Sequence, residues 1–387
     1  MASERATLID LFCGCGGFSL GAELAGFHIL AAIDIDPVLQ SAYRKNFPGT
    51  KAIEGDVGQI LRPDWRQLIG NVRPDGIIGG PPCQGFSRIG KRSKNDPRNS
   101  LIHHFYRHVD ELRPKFFVME NVEGLLDEEN RPVLMSAIER VSGRYTVLGP
   151  AVVNAADFGA ATNRRRVVII GYDPAECDPL SLERLQPSSG RLATVREAIG
   201  DLPQPIEDIG RDDDFGWAKY PVASNGRLSS YARALREPPP EGLGWTEAVR
   251  LHREGFVSGM RATRHTVAVA QRYASTECGK SDPISKSYRL EWGGQCPTLR
   301  AGTGAEKGAF QAVRPLHPAE SRVVTVREAA RMQAFPDWFV FHPTKWHSFR
   351  MIGNSVSPSV SFGLLPSMLT AVTNAADDER AYNRRTA

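Results

Sequence analysis

A chain of 387 residues is long enough for one large domain plus a smaller one, with a real core to bury. With 41% hydrophobic and 24% charged residues, and no apolar run long enough to cross a bilayer, it reads as an ordinary soluble globular protein and not as a membrane or disordered one. The net charge of +4 is unevenly spread: residues 250–314 carry 11 Lys and Arg against 5 Asp and Glu, residues 82–98 carry 5 against 1, and residues 201–249 carry 5 against 9. Charge runs are most often solvated faces, but locally basic segments also suit a polyanion such as nucleic acid. The opening MASERATLID has no apolar signal region, which predicts a cytoplasmic protein. The six cysteines form no Cys-x-x-Cys pair, so no metal site is expected and free, reduced thiols are.

In chain order, strand and helix patterns alternate through the first half. ATLIDLF (6–12) is a strand and CGCGGFSLGAELAGF (13–27) turns into a helix. HILAAIDID (28–36) is a strand, followed by the helical PVLQSAYRKNF (37–47) and the short buried strand DGIIGG (75–80). Then come a helix (101–112), the strand KFFVMENV (115–122), a helix (130–143) and the strand RRVVIIGY (165–172). This alternation predicts an α/β fold, a doubly wound, Rossmann-like parallel sheet whose ligands bind at the carboxyl ends of the strands. From about residue 200 the pattern gives way to Pro-, Gly- and Asp-rich stretches such as DLPQPIEDIGRDDDFGW, which predicts a smaller, loop-rich region. Order returns at TVREAARMQAF, a helix whose start is marked by Thr325 and Glu328, and in the helical SVSFGLLPSMLTAVTNAA. The domains are therefore expected as 1–196 plus 340–387, and 197–339.

Three strand ends carry chemistry. Gly14, Gly16 and Gly17 follow the first strand and open a helix, letting backbone approach a ligand. Ser19 breaks the dinucleotide pattern G-x-G-x-x-G. Asp34 and Asp36 end the next strand, about 20 residues on, where an acid holds ribose hydroxyls. Asp56 ends a further short segment and could accept from an adenine amine. Together these fit an adenosine ligand without a pyrophosphate, against the plainer reading of a structural tight turn. Cys83 follows Pro81 and Pro82, which restrict its backbone, and precedes a basic, glycine-punctuated stretch that favours a thiolate and a mobile lid. A buried small hydrophobe is the usual fate of a cysteine; here a nucleophile is the stronger reading. Glu120 closes a strand of buried apolar residues, from which it could act as an acid; the plainer readings are a helix N-terminal cap or a salt bridge.

Taken together, DLFCGCGGFSLG, GGPPCQGFS, MENV, NRRRVVIIG and GNSVSPSV occur in the order seen in the cytosine-5 DNA methyltransferases, and the chain resembles that family, of the bacterial restriction-modification type, from residue 7 to about 365 except for roughly 200–313. The resemblance implies S-adenosyl-L-methionine as methyl donor, leaving S-adenosyl-L-homocysteine. It implies that Cys83 adds to carbon 6 of a cytosine flipped out of duplex DNA, because carbon 5 is a poor nucleophile until that addition makes an enamine. It gives Glu120 to the base N3, Asn121 to orienting the base, Arg166 to its O2, and Arg164 to the active site or a nearby phosphate. Phe18 and Pro82 join the glycines and Asp34 (or Asp36) around the donor, Asp56 takes the adenine amine, and Leu101 and Asn354 complete that pocket.

The segment 84–100, with Arg88, Lys91 and Arg92, resembles the family's closing lid, and the middle region its target-recognition domain. There Thr298 and Arg300 would meet the DNA backbone, and Arg261, Arg264, Arg289 and Arg300 are candidates to read guanine or to hold phosphate. The chain departs from the family at Ala161 and Thr162, where Pro-Gln is usual, which loses the hydrogen bonds of the glutamine. Partners implied are double-stranded DNA and a cognate restriction endonuclease, with the enzyme a monomer. The tRNA-modifying branch is the competing reading, disfavoured by Gly85 and the lack of a Cys-Phe-Thr motif. A silent DNA-binding relative is disfavoured by the joint presence of Cys83, Glu120, Arg164 and Arg166.

Overall fold

Along the central strands, successive side chains point to opposite faces, and here both faces are apolar. In β5 (Phe116–Asn121), Phe116 and Val118 belong to one buried cluster, and Phe117 and Met119 to another. A strand buried on both faces needs cover on both faces. The computed structural model supplies it; it describes residues 5–82, 100–185, 190–207, 214–221, 228–301 and 313–386.

The sheet also contains β1 (Thr7–Leu11), β2 (His28–Asp34), β3 (Lys51–Glu54), β4 (Gly76–Gly79), β6 (Thr146–Asn154) and, after the two-residue β7 (Thr162–Asn163), β8 (Arg165–Tyr172). Its order is β3-β2-β1-β4-β5-β8-β6. On one face lie α1 (Gly17–Leu24) and α2 (Pro37–Asn46), on the other α3 (Arg62–Ile69), α4 (Ser100–Leu112) and α5 (Arg131–Glu139).

The expected parallel sheet holds from β3 to β5. Beyond that, β8 runs antiparallel to β5, and β6 antiparallel to β8. The reason is β6, which the sequence pattern hides. It is an edge strand, largely exposed, with Gly149 and Pro150 at a register shift between Leu148 and Ala151. Only residues 155–164 separate it from β8, too few for a parallel crossover, so the chain turns straight back.

The middle region is loop-rich, as expected. It holds α6 (Val195–Ile199), α7 (Ser230–Leu235), α8 (Thr246–Arg253) and α9 (Val267–Ala274). A small ribbon pairs β9 (Ala218–Lys219) with β10 (Phe256–Val257), and β11 (Cys296–Pro297) pairs with β7. Then α10 (Val326–Met332) starts at the anticipated capping box of Thr325 and Glu328. Residues 324–341 enter the same buried cluster as α1 and the long C-terminal α12 (Pro358–Thr386), which follows α11 (Lys345–Asn354). By length and composition, the helical stretch 345–375 is apolar enough to cross a membrane, but more than half of its most apolar part is buried inside the protein.

Helix α1 packs on the start of α12 without room for a methyl group. A Cβ on Gly21 would overlap Ser361 Oγ and the Pro358 carbonyl and come within 2.6 Å of Phe362 N. We expect Gly21→Ala to destabilise the protein by about 1–3 kcal/mol despite alanine's better helix propensity. A fall in the urea midpoint checks this; an unchanged midpoint would mean the contact is loose.

Candidate active site

The carboxyl ends of β1, β2, β4 and β5 form one edge of the sheet, and the antiparallel β8 starts at that same edge. This reversal brings the arginines of NRRRVVII beside the end of β5, where Asn121 pairs with Val167 and Glu120 with Val168. A parallel β8 would have left them on the far side.

Glu120 is buried, and Arg166 Nε stands 2.9 Å from its Oε1, off the line of a straight hydrogen bond. The other end of the Arg166 guanidinium donates to the Arg165 carbonyl at 2.7 Å. Glu120 lies beside Gly80, at the start of the Gly80–Pro82 turn that leads to Cys83. Asn121 is buried and fixes that turn: its Nδ2 donates to the Pro81 carbonyl at 3.1 Å, while its Oδ1 accepts from Val122 N. Pro82 is exposed at the last described position before the loop. Cys83, Arg88, Lys91 and Arg92 lie outside the described residues.

Arg164 is only 2% exposed. It donates to the carbonyls of Ser355 at 2.7 Å and Leu299 at 3.3 Å. Its role in this geometry is to join three chain segments, so it does not present its charge to an open cleft. Arg165, next to it, is exposed and ion-paired with Glu123.

Across the edge, the glycine turn follows β1. Gly14 and Gly16 have φ of 57° and 98°, in the left-handed region. A Cβ on Gly14 would have nothing within 4 Å, so its backbone faces open space, whereas one on Gly17 would overlap the Val356 carbonyl of the GNSVSP segment. Asp34 accepts from Gly14 N and Asp36 N, both at 2.9 Å. Burial pushes its carboxyl up to about 6, opposed by the Gly14 N–H and by Arg350. Asp36 is engaged differently: it caps α2 through Val38 N and Leu39 N and is ion-paired with Arg350. Asp56 accepts from Gly58 N at 2.8 Å, holding the loop beside His104 of α4. Leu101 is half-buried at the start of α4, and Asn354 is exposed at the end of α11.

Two apolar side chains at this edge were not singled out from the sequence. Phe12 is half-buried with a strained φ of 61°, and Ile35 is 66% exposed directly after Asp34. Phe18, by contrast, is 4% exposed and packed in the core on α1. The available signal was position: Phe12 and Ile35 each follow the last residue of a strand, while Phe18 already lies on the inward face of a helix.

From the middle region, β11 brings the CPTLR stretch to this edge. Thr298 Oγ1 donates to the Asn163 carbonyl at 2.7 Å, and Arg300 is exposed two residues on. Thr162, at the departure from the family pattern, is fully buried and donates to the Cys296 carbonyl at 2.9 Å, so its hydroxyl fastens β11 to β7. The four candidate reading arginines divide. Arg261 is buried against Asp214, and Arg289 is buried among the carbonyls of Tyr273, His317, Pro318 and Glu320. Both are internal cross-links and are withdrawn as base readers. Arg264, loosely paired with Glu207, and Arg300 remain on the surface.

Comparison with known proteins identifies the family. The family model of the C-5 cytosine-specific DNA methylase matches residues 6–369. The Type II methyltransferase M.XorII of Xanthomonas oryzae pv. oryzae is 43% identical over 356 residues, covering 90% of this chain and 81% of that protein. M.DdeI of Desulfomicrobium norvegicum, also a Type II methyltransferase, is 32% identical, covering 92% and 87%. Among solved structures, a prophage-encoded E. coli protein described as a DNA modification methyltransferase superposes with a TM-score of 0.85 at 40% identity, over 95% of this chain and 99% of that one. Spodoptera frugiperda DNMT2, at 18% identity and a TM-score of 0.54 over 94% and 99%, shares the fold.

The buried Arg164 sets a stability prediction. Arg164→Met would leave the inward carbonyls of Leu299 and Ser355 without their donor, and we expect a loss of about 2–4 kcal/mol. Thr162→Val should cost about 1–2 kcal/mol. Urea unfolding of both variants checks the order; equal and negligible effects would contradict it.

Proposed function

The chain belongs to the C-5 cytosine-specific DNA methylases, and from that premise we propose that it transfers the methyl group of S-adenosyl-L-methionine to carbon 5 of a cytosine flipped out of a specific duplex sequence, through a covalent adduct with Cys83. Its relatives are Type II methyltransferases of restriction-modification systems, and the family's use of S-adenosylmethionine comes with membership. The observation that carries the finer reading is the Glu120–Arg166 pair standing beside the Gly80–Pro82 turn, with Asn121 pinning that turn.

The residues at the glycine turn fit the donor. Gly14 leaves room for a ligand against its backbone, Asp34 offers a carboxylate to ribose hydroxyls, and Ile35 and Phe12 offer apolar surface to a purine. Asp56, Leu101 and Asn354 border the same edge. Buried Asp10, ahead of the turn on β1, has one carboxylate oxygen with no hydrogen-bond partner among the described residues, as expected where a positively charged ligand completes the surroundings. Bound there, the donor supplies an electrophilic methyl group on a positive sulfur.

The chain's own residues do the rest. Glu120 holds N3 of the flipped base by a hydrogen bond or proton, and Arg166, braced against it, meets O2. Cys83 as thiolate forms a bond to carbon 6, and the electron pair released toward carbon 5 takes the methyl group. A base, through water, then removes the carbon 5 proton, the carbon 6–sulfur bond breaks, and the thiolate is restored. Asn121 and Arg164 position this machinery without touching the ring. Arg88, Lys91, Arg92, Thr298 and Arg300 hold the DNA backbone around the site. Residues 1–196 plus 340–387 form the catalytic unit, and 197–339 the target-recognition unit with its returning segment. The enzyme acts as a cytoplasmic monomer, protecting DNA from an endonuclease that cuts the same sequence.

The test is methyl transfer from labelled donor to unmethylated duplex DNA and, in parallel, to tRNA. Label should appear in DNA as 5-methylcytosine and fall at least about a thousandfold in Cys83→Ser. A duplex carrying 5-fluorocytosine should trap the wild type as a denaturant-stable complex, because fluorine cannot leave as a proton does. Label confined to tRNA would overturn the substrate, and transfer surviving in Cys83→Ser would overturn the mechanism.

A further inference from the structure

Asp10 is fully buried on β1, four residues before Gly14 of the glycine turn. Its Oδ2 accepts from Ser19 Oγ at 2.6 Å, and Ser19 in turn accepts from the Tyr43 hydroxyl at 2.8 Å. Both hydroxyls point their protons toward the carboxylate, an arrangement that favours its anionic form. Its Oδ1 has no hydrogen-bond partner among the described residues. A buried carboxylate with one satisfied and one bare oxygen is poised between charged and neutral, and a nearby cation decides which it is.

We propose that Asp10 is the residue by which the chain distinguishes its cationic methyl donor from the neutral thioether product, the bare carboxylate oxygen ahead of the glycine turn favouring the positive sulfur. The inference rests on the donor reading above. Direct contact is not required, since a charge enclosed in protein acts over several ångströms with little screening.

The surroundings leave Asp10 as the group that responds. Burial pushes its carboxyl up to about 7, with the Ser19 hydroxyl opposing and Asp34 adding to the rise. From β1, Cys13 is held by Gln40 of α2, and burial pushes its thiol up; burial likewise pushes up the Tyr43 phenol, so both stay neutral. From β2, Asp34 is the charged neighbour, with Arg350 of α11 acting on it in turn. Cys15 and Ser355 form a neutral contact on the side of α11. Asp34, whose carboxyl lies lower, at about 6, acts on the same sulfur charge from its own position, so the part of the pH dependence that disappears in Asp10→Asn is the part assigned to Asp10.

The sign follows. Above the Asp10 pKa the carboxylate is charged and the donor is preferred; below it the carboxyl is neutral and the preference is lost. Dissociation constants of S-adenosylmethionine and S-adenosylhomocysteine, measured by calorimetry on the full chain from pH 6 to 8, read this directly. The ratio of product to donor constant should rise at least about threefold with pH, half a unit of pKa coupling. In buffers of different ionisation enthalpy at pH 7, donor binding should release more protons than product binding. Asp10→Asn should flatten the ratio while still binding both ligands. Ser19→Ala, which keeps the carboxyl but removes its donor, should move the rise to higher pH. A flat ratio in the wild type, or an equal slope in Asp10→Asn, would overturn the inference and leave the donor reading intact. Failure of folded wild type to bind either ligand would overturn the donor reading and the inference with it.

Discussion

One buried guanidinium closes the active-site edge. Arg164 precedes β8, yet its donors reach Leu299, 135 residues on, and Ser355, 191 residues on. A buried cation among carbonyls is stable only while each bond is made, so the three segments are held together or not at all. Two glycines permit the approach. Gly17 lies against the Val356 carbonyl, and a Cβ on Gly353 would come within 2.6 Å of Ala301 Cα. The GNSVSP segment is thereby wedged between the glycine turn and the CPTLRA stretch. The glycine turn, the start of β8 and the CPTLRA stretch therefore share one joint.

That joint works because β8 runs backwards. The antiparallel return from β6 places Arg164 and Arg166 at the carboxyl edge, one facing inward as a strut and the other facing Glu120. The same return presents Thr162 and Asn163 as β7, onto which β11 zips through the Thr162 hydroxyl. The lost glutamine of the family pattern is therefore not a gap in this chain. A shorter side chain bonds the backbone of the arriving strand and fixes Thr298 and Arg300 at the site.

Much of this was legible in the sequence. The strand–turn–helix at residues 7–24, the cap at Thr325, and the placement of Gly14, Asp34 and Glu120 at strand ends all followed from local pattern and turn chemistry. What was hidden depends on tertiary context. Strand β6 is an exposed edge interrupted by Gly149-Pro150, so it lacks the apolar run that marks the inner strands, and without it the direction of β8 could not be deduced. Arg261 and Arg264 lie three residues apart with the same chemistry, but one is buried on Asp214 and the other is at the surface. Which arginine becomes a strut is decided by carbonyls and carboxylates that arrive from elsewhere in the chain. Phe12 and Phe18 make the same point with apolar residues.

The middle region has little core of its own. Its separate apolar clusters are small, one built on Ala218, Val257 and Met260 and another on Tyr273, Leu316 and Val323, too little to order this length of chain unaided. Its attachment is partly apolar, through Ala198, Ile199, Leu290 and Leu299 in the main buried cluster, and partly polar. Arg331, fully buried on α10, binds Asp337 and Asp201 and donates to the Ala198 carbonyl, and Arg236 joins at Asp201. Arg327, one turn earlier, is satisfied by Ser258 and by the carbonyls of Pro336 and Phe339. Hydrophobic contact tolerates sliding, whereas planar guanidinium forks bind in one orientation. Anchoring through α10 therefore fixes how the described parts of the middle region meet the carboxyl edge of the sheet. For the target-recognition role proposed above, a fixed orientation is what these buried arginines would supply.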